Sequence, residues 1–339
     1  MSFPGQTRHT SCAACDRHVT VQARRVTMSE VAQMTVDFTR ETERYRHELR
    51  VHCYRLLGSF DEAEDLVQET FLKAWRARDT FEGRSSFRAW LYRIATNACL
   101  DVIDRRPAQA TTDEMPVADV PWLQPFPDAL LDAEPDAEVV ARETIELAFL
   151  AAVQHLPAKQ RAVLVLRDVL GWPASETATL LEETVPAVNS ALQRARVTMR
   201  KHLPQRRADW SGGPNPREKA VIRKFVEATE RCDLELMASA LRADVTWTMP
   251  PQPEWYLGRD AVIDLWAPVM VGPEAFGEWK VLETRANRQP AFAGYARKPG
   301  EELFKPVAMD VLRIEGDEIA EIITFPSDRF PLFGLPESL

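Results

Sequence analysis

A chain of 339 residues is too long for one ordinary domain and comfortable for two or three; 45% hydrophobic and 27% charged residues fit soluble globular protein. No apolar run is long enough to cross a membrane and the opening MSFPGQTRHTSCAACDRH has no apolar h-region, so no membrane contact and no export is expected. The five cysteines lack a framework spacing and fit reduced thiols in the cytoplasm, and the formal net charge of −9 argues against nucleic acid only until its distribution is read.

Residues 1–28 read as an unstructured leader. Cys12, Cys15 and His18 form C-x-x-C-x-x-H, but three ligands in so short a span do not close a tetrahedral site, so no metal is expected. Met28 and Met34 precede the first good helix, so a start codon placed too early is one reading of this leader. Residues 29–106 read as one all-helical domain. Phe38, Tyr45, Leu49, Val51, Tyr54 and Leu57 lead to Gly58 as a C-cap, with Asp61 as the next N-cap. In DEAEDLVQETFLKAW, Ala63, Leu66, Val67, Thr70, Phe71 and Ala74 form an apolar stripe at steps of three and four. Asp65, Gln68, Glu69 and Leu72 share the opposite face, which suits docking onto a basic partner. Gly83 breaks the chain, Ser85 or Ser86 caps the next helix, and Phe87, Trp90, Leu91, Ile94, Ala95, Ala98 and Val102 form its stripe.

This run of some forty-five residues, through TFEG and SSFRAWLYRIATNACLDVIDRR, resembles region 2 of bacterial RNA polymerase sigma factors of the sigma-70 family, extracytoplasmic-function (ECF) type. The resemblance implies that Asp65, Gln68, Glu69 and Leu72 dock on core RNA polymerase. It also implies that Phe81, Arg84, Ser85, Ser86, Arg88 and Asn97 line a base captured from the minus-10 element, whose extraction costs a few kcal/mol. Phe87 and Trp90 lie on the apolar stripe and read as core.

Residues 107–137, rich in Pro, Asp and Ala, read as a flexible or extended acidic linker; Pro107 to Ala141 contains no Lys or Arg. The resemblance adds that such a strand tracks a basic channel of the polymerase. Residues 138–208 carry a second all-helical pattern. One helix stops at Pro157 and another at Gly171, and PASETATLL, a turn and VPAVNSALQRARVTMRKHL outline a helix-turn-helix. The segment GWPASETATLLEETVPAVNSALQRAR resembles region 4 of the same sigma factors, with Glu182 and Glu183 where Gly or Asp is frequent. A left-handed residue there costs about 1 kcal/mol. Val188, Leu192, Ala195 and Met199 form the buried face. Pro186, Asn189, Ser190, Gln193 and Arg194 point outward, where Asn and Gln can pair with adenine and Arg with guanine. Arg196, Arg200 and Lys201 suit phosphate; with Arg194, Arg206 and Arg207 they make the chain's basic cluster.

DWSGGPN, 209–215, reads as a linker. Residues 216–327 change to helices followed by strand-like runs, with GDE as a hairpin turn, an α+β pattern. LRADVTWTMPP and GRDAV resemble the SnoaL-like group of the nuclear-transport-factor-2-like cone fold. That resemblance implies an apolar pocket, for which Trp247, Met249, Trp255, Tyr256 and Trp266 are candidates. The tail, 328–339, offers Phe330, Leu332 and Phe333, packed either across domains or back on its own.

The expected fold is multidomain: two all-α sigma domains, a region 2 helical bundle and a region 4 helix-turn-helix, followed by an α+β cone-like SnoaL-like domain. The expected function is a sigma factor that binds core RNA polymerase and promoter DNA, melts minus-10 and reads minus-35, with the cone regulating it, no cofactor, and a small-molecule ligand as a candidate further partner. One alternative makes the cone a small-molecule-converting enzyme or cyclase with Asp244, Asp264 or Asp310 as base. No His follows His202 and no carboxylate has a diagnostic partner, so a non-enzymatic chain is favoured. A simple helix-turn-helix repressor would leave the acidic face of region 2 without a purpose.

Overall fold

The computed structural model describes residues 28–81, 83, 85–106, 120–132, 144–203 and 216–339. Cys12, Cys15, His18, Arg84, Arg206, Arg207 and the 209–215 linker lie outside them. Helix α1 (Met28–Glu43) belongs to a separate unit ending at Glu43. Near its end Thr42 Oγ1 donates to the Phe38 carbonyl at 3.0 Å.

The second unit begins with α2 (Arg46–Leu57), α3 (Phe60–Ala77) and α4 (Phe87–Arg105). Leu49, Val51, Cys53, Tyr54, Leu56 and Leu57 bury α2 on more than one side, as befits a helix with neighbours all round. Gly58 takes φ 72 and caps it, a conformation glycine adopts at no steric cost. The N-cap of α3 is Ser59, not Asp61: Ser59 accepts from the Glu62 N–H at 3.3 Å. Asp61 stands in the first turn, where its carboxylate takes Gln124 Nε2 at 3.0 Å and Arg329 at 2.6 Å. Ser86 is the cap of α4, accepting from Ala89 N at 3.1 Å.

The stretch 120–132 departs from the expected flexible linker. Val120, Leu123, Phe126 and Leu131 are buried, and a short helix α5 (Asp128–Leu131) forms. These apolar residues have neither a helix nor a strand period, so their spacing concealed that they fill a groove one by one. Phe126 stacks edge-on against Tyr54 and Phe60, each with centroids 5.0 Å away. Burying such a ring is worth about 2–3 kcal/mol.

Next come α6 (Leu147–Gln154), α7 (Ala158–Leu164) with a wider turn over Val165–Val169, α8 (Ala174–Leu180) and α9 (Val185–His202). They share a core with α2–α4. Trp172 stacks on Tyr92 at 5.1 Å, and buried Arg161 donates to the Leu56 carbonyl at the end of α2 at 2.8 Å. The same guanidinium also takes Gln154 and Leu156, and burial pulls its pKa down to about 9.

Helices α10 (Pro216–Glu230), α11 (Leu234–Ala240) and α12 (Arg259–Met270) pack on a six-stranded sheet. Its strands are β1 (Leu241–Thr248), β2 (Trp255–Leu257), β3 (Glu278–Ala286), β4 (Gln289–Arg297), β5 (Lys305–Glu315) and β6 (Glu318–Pro326). The order is β2-β1-β6-β5-β4-β3, antiparallel except for β1 with β6. The GDE turn joins β5 to β6, with Glu315 opposite Glu318 and Gly316 at φ 70. A second hairpin joins β3 to β4 through Asn287 and Arg288, both left-handed at φ 57 and 62. The tail folds back on the sheet: Phe330 is buried against Tyr295 at 5.2 Å, whose hydroxyl donates to Pro336 at 2.8 Å. Leu332 and Phe333 are half-exposed, so Phe330 is the anchor. No helix of the described residues is long and apolar enough to cross a membrane.

Candidate functional site

On α3, Asp65, Gln68, Glu69 and Leu72 are all exposed, opposite the buried Ala63, Leu66, Val67, Thr70 and Ala74. Leu72 is 57% exposed and shares this face with the three polar residues. Glu69 does carry an i,i+4 pair, with Lys73 at 2.8 Å, so the face is less uniformly acidic than the sequence suggested.

Below this helix the loop and the start of α4 form an aromatic cluster. Phe81 lies 5.0 Å from Trp90 and 5.7 Å from Phe87, which lies 5.6 Å from Trp90. Trp90 is buried, while Phe81 and Phe87 are half-buried. Ser85, Ser86 and Asn97 are exposed. Arg88, expected beside a captured base, pairs instead with Glu48 at 2.7 Å and covers the Tyr92 ring at 5.2 Å. Its partner sits forty residues away on α2, which spacing alone could not reveal.

On α9, Thr184 caps the helix by accepting from Ala187 N at 3.3 Å, and Pro186 occupies the first turn. Glu182 takes φ 55, the left-handed turn residue that the Glu182 and Glu183 pair foreshadowed. Glu183 meets Lys159 at 2.5 Å, tying the turn to α7. Pro186, Asn189, Ser190, Gln193, Arg194, Arg196 and Arg200 are exposed, over buried Val188, Ala191, Leu192, Ala195 and Met199. Arg196 is engaged bidentately by Asp168 at 2.7 and 2.8 Å, which leaves Arg194 and Arg200 as the less encumbered cations of the face.

The cone holds a cavity of about 150 Å3 that opens partly to solvent. Trp247, Met249 and Trp266 line it; Trp255 and Tyr256 do not, because they stand on β2, the three-residue strand at the sheet edge, where Tyr256 packs against the same core beside the cavity. Sequence reasoning missed Trp279 and Phe292, whose strand alternation was legible but whose face was not, and Phe276 in the loop before β3. Of the three carboxylates weighed as bases, Asp244 pairs with Arg242 on the surface, Asp264 is exposed, and Asp310 alone lines the cavity. Burial pushes the Asp310 carboxyl up to about 6, opposed by the hydroxyl of Thr324, which donates to it at 2.6 Å. Among the described residues no group of His, Cys, Asp and Glu could hold a metal ion.

The densest polar site was not anticipated. The β3–β4 turn inserts Asn287, fully buried, between the helices and the 120–132 stretch. Its side-chain carbonyl accepts from Phe126 N at 2.8 Å while its own N–H donates to Phe126 O at 2.9 Å. Its Nδ2 donates to Tyr54 Oη at 2.8 Å and to Ile145 O at 2.7 Å, and Tyr54 donates onward to Gln124 O at 2.6 Å. On either side Asp128 accepts from Arg288 N at 2.7 Å and from Arg285 at 3.0 Å, and Gln289 accepts from Leu147 N at 3.0 Å. Burial raises the pKa of Asp128 against the pull of these partners. A left-handed Asn marks a two-residue hairpin turn, the only signal the sequence carried here.

A capped basic helix behind a helix-turn-helix and a helical bundle with an aromatic loop define a two-part DNA-binding protein with a cone attached. Family models match in the same order: sigma-70 region 2 over residues 42–108, sigma-70 region 4 over 146–199 and a SnoaL-like domain over 222–322. The ECF RNA polymerase sigma factor SigG of Mycobacterium tuberculosis is 40% identical over 319 residues, spanning 89% of this chain and 85% of the relative. SigJ of the same organism is 32% identical over 213 residues, covering 61% of this chain and 63% of that one. The crystal structure of the latter superposes with a TM-score of 0.58 at 22% identity, over 88% of this chain and 99% of that chain, which shows a common fold. The chain belongs to the ECF sigma factor family.

Proposed function

We propose that this sigma factor is held closed by its own cone and opens to engage core RNA polymerase and promoter DNA in the cytoplasm. The functional division would be 29–106, 138–208 and 216–327, with the basic helix α9 serving one promoter element and the α3–α4 loop the other. One observation carries the reading: Asn287 of the cone holds the chain between the two helical parts at Phe126. Parts that serve separate promoter elements must move relative to one another, and a side chain that bonds α2, the 120–132 stretch and Ile145 at once opposes that movement.

In this reading Asp65, Gln68, Glu69 and Leu72 meet the polymerase. Phe81, Ser85, Ser86 and Asn97, with Arg84 outside the described residues, border the minus-10 base. Arg88 joins them only if it leaves Glu48. Pro186, Asn189, Ser190, Gln193 and Arg194 read minus-35, while Arg200, and Arg196 once parted from Asp168, position phosphate. In this reading the cone acts as a regulator: among the described lining residues its cavity offers a single carboxyl, Asp310.

The experiment is run-off transcription with purified core enzyme, comparing the full chain with Asn287→Gly, which keeps the turn and removes the side-chain bonds. Transcript yield at limiting chain should rise several-fold. Unchanged yield from a folded variant with unchanged core affinity would sink the proposal.

A further inference from the structure

The cone cavity has one ionisable group among its described lining residues, and nothing there answers its charge. Asp310 on β5 is buried; Thr324 donates to its Oδ1 and itself accepts from Trp247 Nε1 at 2.7 Å. Its other oxygen accepts no hydrogen bond from the described residues. The walls contributed by α10, β1, α12, β3, β4 and β6 bring no Lys, Arg, His or second carboxylate to the lining. They bring ring faces: Trp247, Trp266 and Trp279 run in a tilted chain with centroids 5.0 and 5.8 Å apart. A buried carboxylate without a counter-ion is costly, and aromatic faces attract cations through their quadrupoles. Both features are relieved by the same occupant. A cavity of about 150 Å3 takes one ring-sized molecule.

Resting on the reading of the cone as a regulatory domain, we propose that its cavity binds a small organic amine carrying a single ring. The ammonium group pairs with the free oxygen of Asp310, and the ring lies among Trp247, Trp266 and Trp279. Because burial holds the Asp310 proton up to about pH 6, the amine is bound well above that pH and poorly below it, where the acid is neutral.

The test titrates the full chain with benzylamine, benzyl alcohol and toluene at pH 7.5 and 5.0, read by tryptophan fluorescence and calorimetry. Benzylamine should bind at least tenfold more tightly than benzyl alcohol at pH 7.5, and the preference should vanish at pH 5.0. Asp310→Asn, close in shape, should abolish the preference and keep the weak binding of toluene. Equal affinities for amine and alcohol at pH 7.5, a preference that survives Asp310→Asn, or no amine binding at millimolar concentration would each overturn the proposal. The pH comparison on the unaltered chain stands even if the variant does not fold. Promoter output does not enter these readouts, so failure here leaves the clamp at Asn287 standing, and failure of the clamp leaves this titration meaningful.

Discussion

The Asn287 side chain makes three long-range hydrogen bonds, to Phe126 N, Tyr54 Oη and Ile145 O, and its removal has a calculable cost. Truncation leaves Phe126 N, Tyr54 Oη and Ile145 O short of a partner, and each buried group so stranded costs about 1–3 kcal/mol. Asn287→Gly and Tyr54→Phe should therefore each destabilise the fold, and together by less than their sum, because they share one bond. Urea denaturation of the two single variants and the double would measure this coupling; strict additivity would show that the bond carries no weight. Asp310 behaves oppositely. Its folded pKa of about 6 lies above the unfolded value near 3.9, so the folded state holds the proton more tightly. The stability it contributes is full below about pH 4 and is lost as pH rises through 6. Asp310→Asn should gain about 1–3 kcal/mol at pH 7.5 and nothing at pH 4, as thermal unfolding across pH would reveal. A loss of stability at pH 7.5 would mean the carboxylate is better solvated than its burial implies.

At the level of elements, α9 and α3 make separable predictions. Gln193→Ala and Arg194→Ala should flatten preference at the minus-35 element by about 1–3 kcal/mol per base contact, whereas Arg200→Ala should weaken all DNA alike and lower the salt slope. Binding to cognate and scrambled duplexes over a salt series separates the two; equal losses from both kinds of variant would refute the assignment. Reversing charge at Asp65 and Glu69 should weaken core binding while leaving the helical signal intact, since neither side chain is buried. These elements were legible because their apolar stripes have a helical period and their caps are local. The 120–132 stretch was not, because Val120, Leu123, Phe126 and Leu131 obey no period and are defined by the groove that receives them. The partners of Arg88 and Arg196 were hidden for a related reason: Glu48 and Asp168 are close only once the helices pack. Trp255 and Tyr256 were candidate cavity walls through the resemblance, and only the edge position of β2 removed them.

From Arg44 onward the two helical parts and the cone form one compact unit, so the proposed regulation is a question of how firmly that unit closes. The Phe126 and Asn287 amides, each hydrogen-bonded to the other residue, should exchange slowly with deuterium in the free protein and rapidly once core polymerase is added. Unchanged protection in the presence of core would mean that engagement does not require opening. The tether between clamp and clamped also has a physiological consequence. An inhibitor made as a separate chain can be outnumbered, so output stays near zero until the inhibitor is titrated and then climbs abruptly. The hairpin carrying Asn287 is synthesised once with every Phe126, and their stoichiometry cannot drift. The open fraction is then a constant of the molecule, independent of how much is made, and promoter firing should scale in direct proportion to dosage, with no threshold.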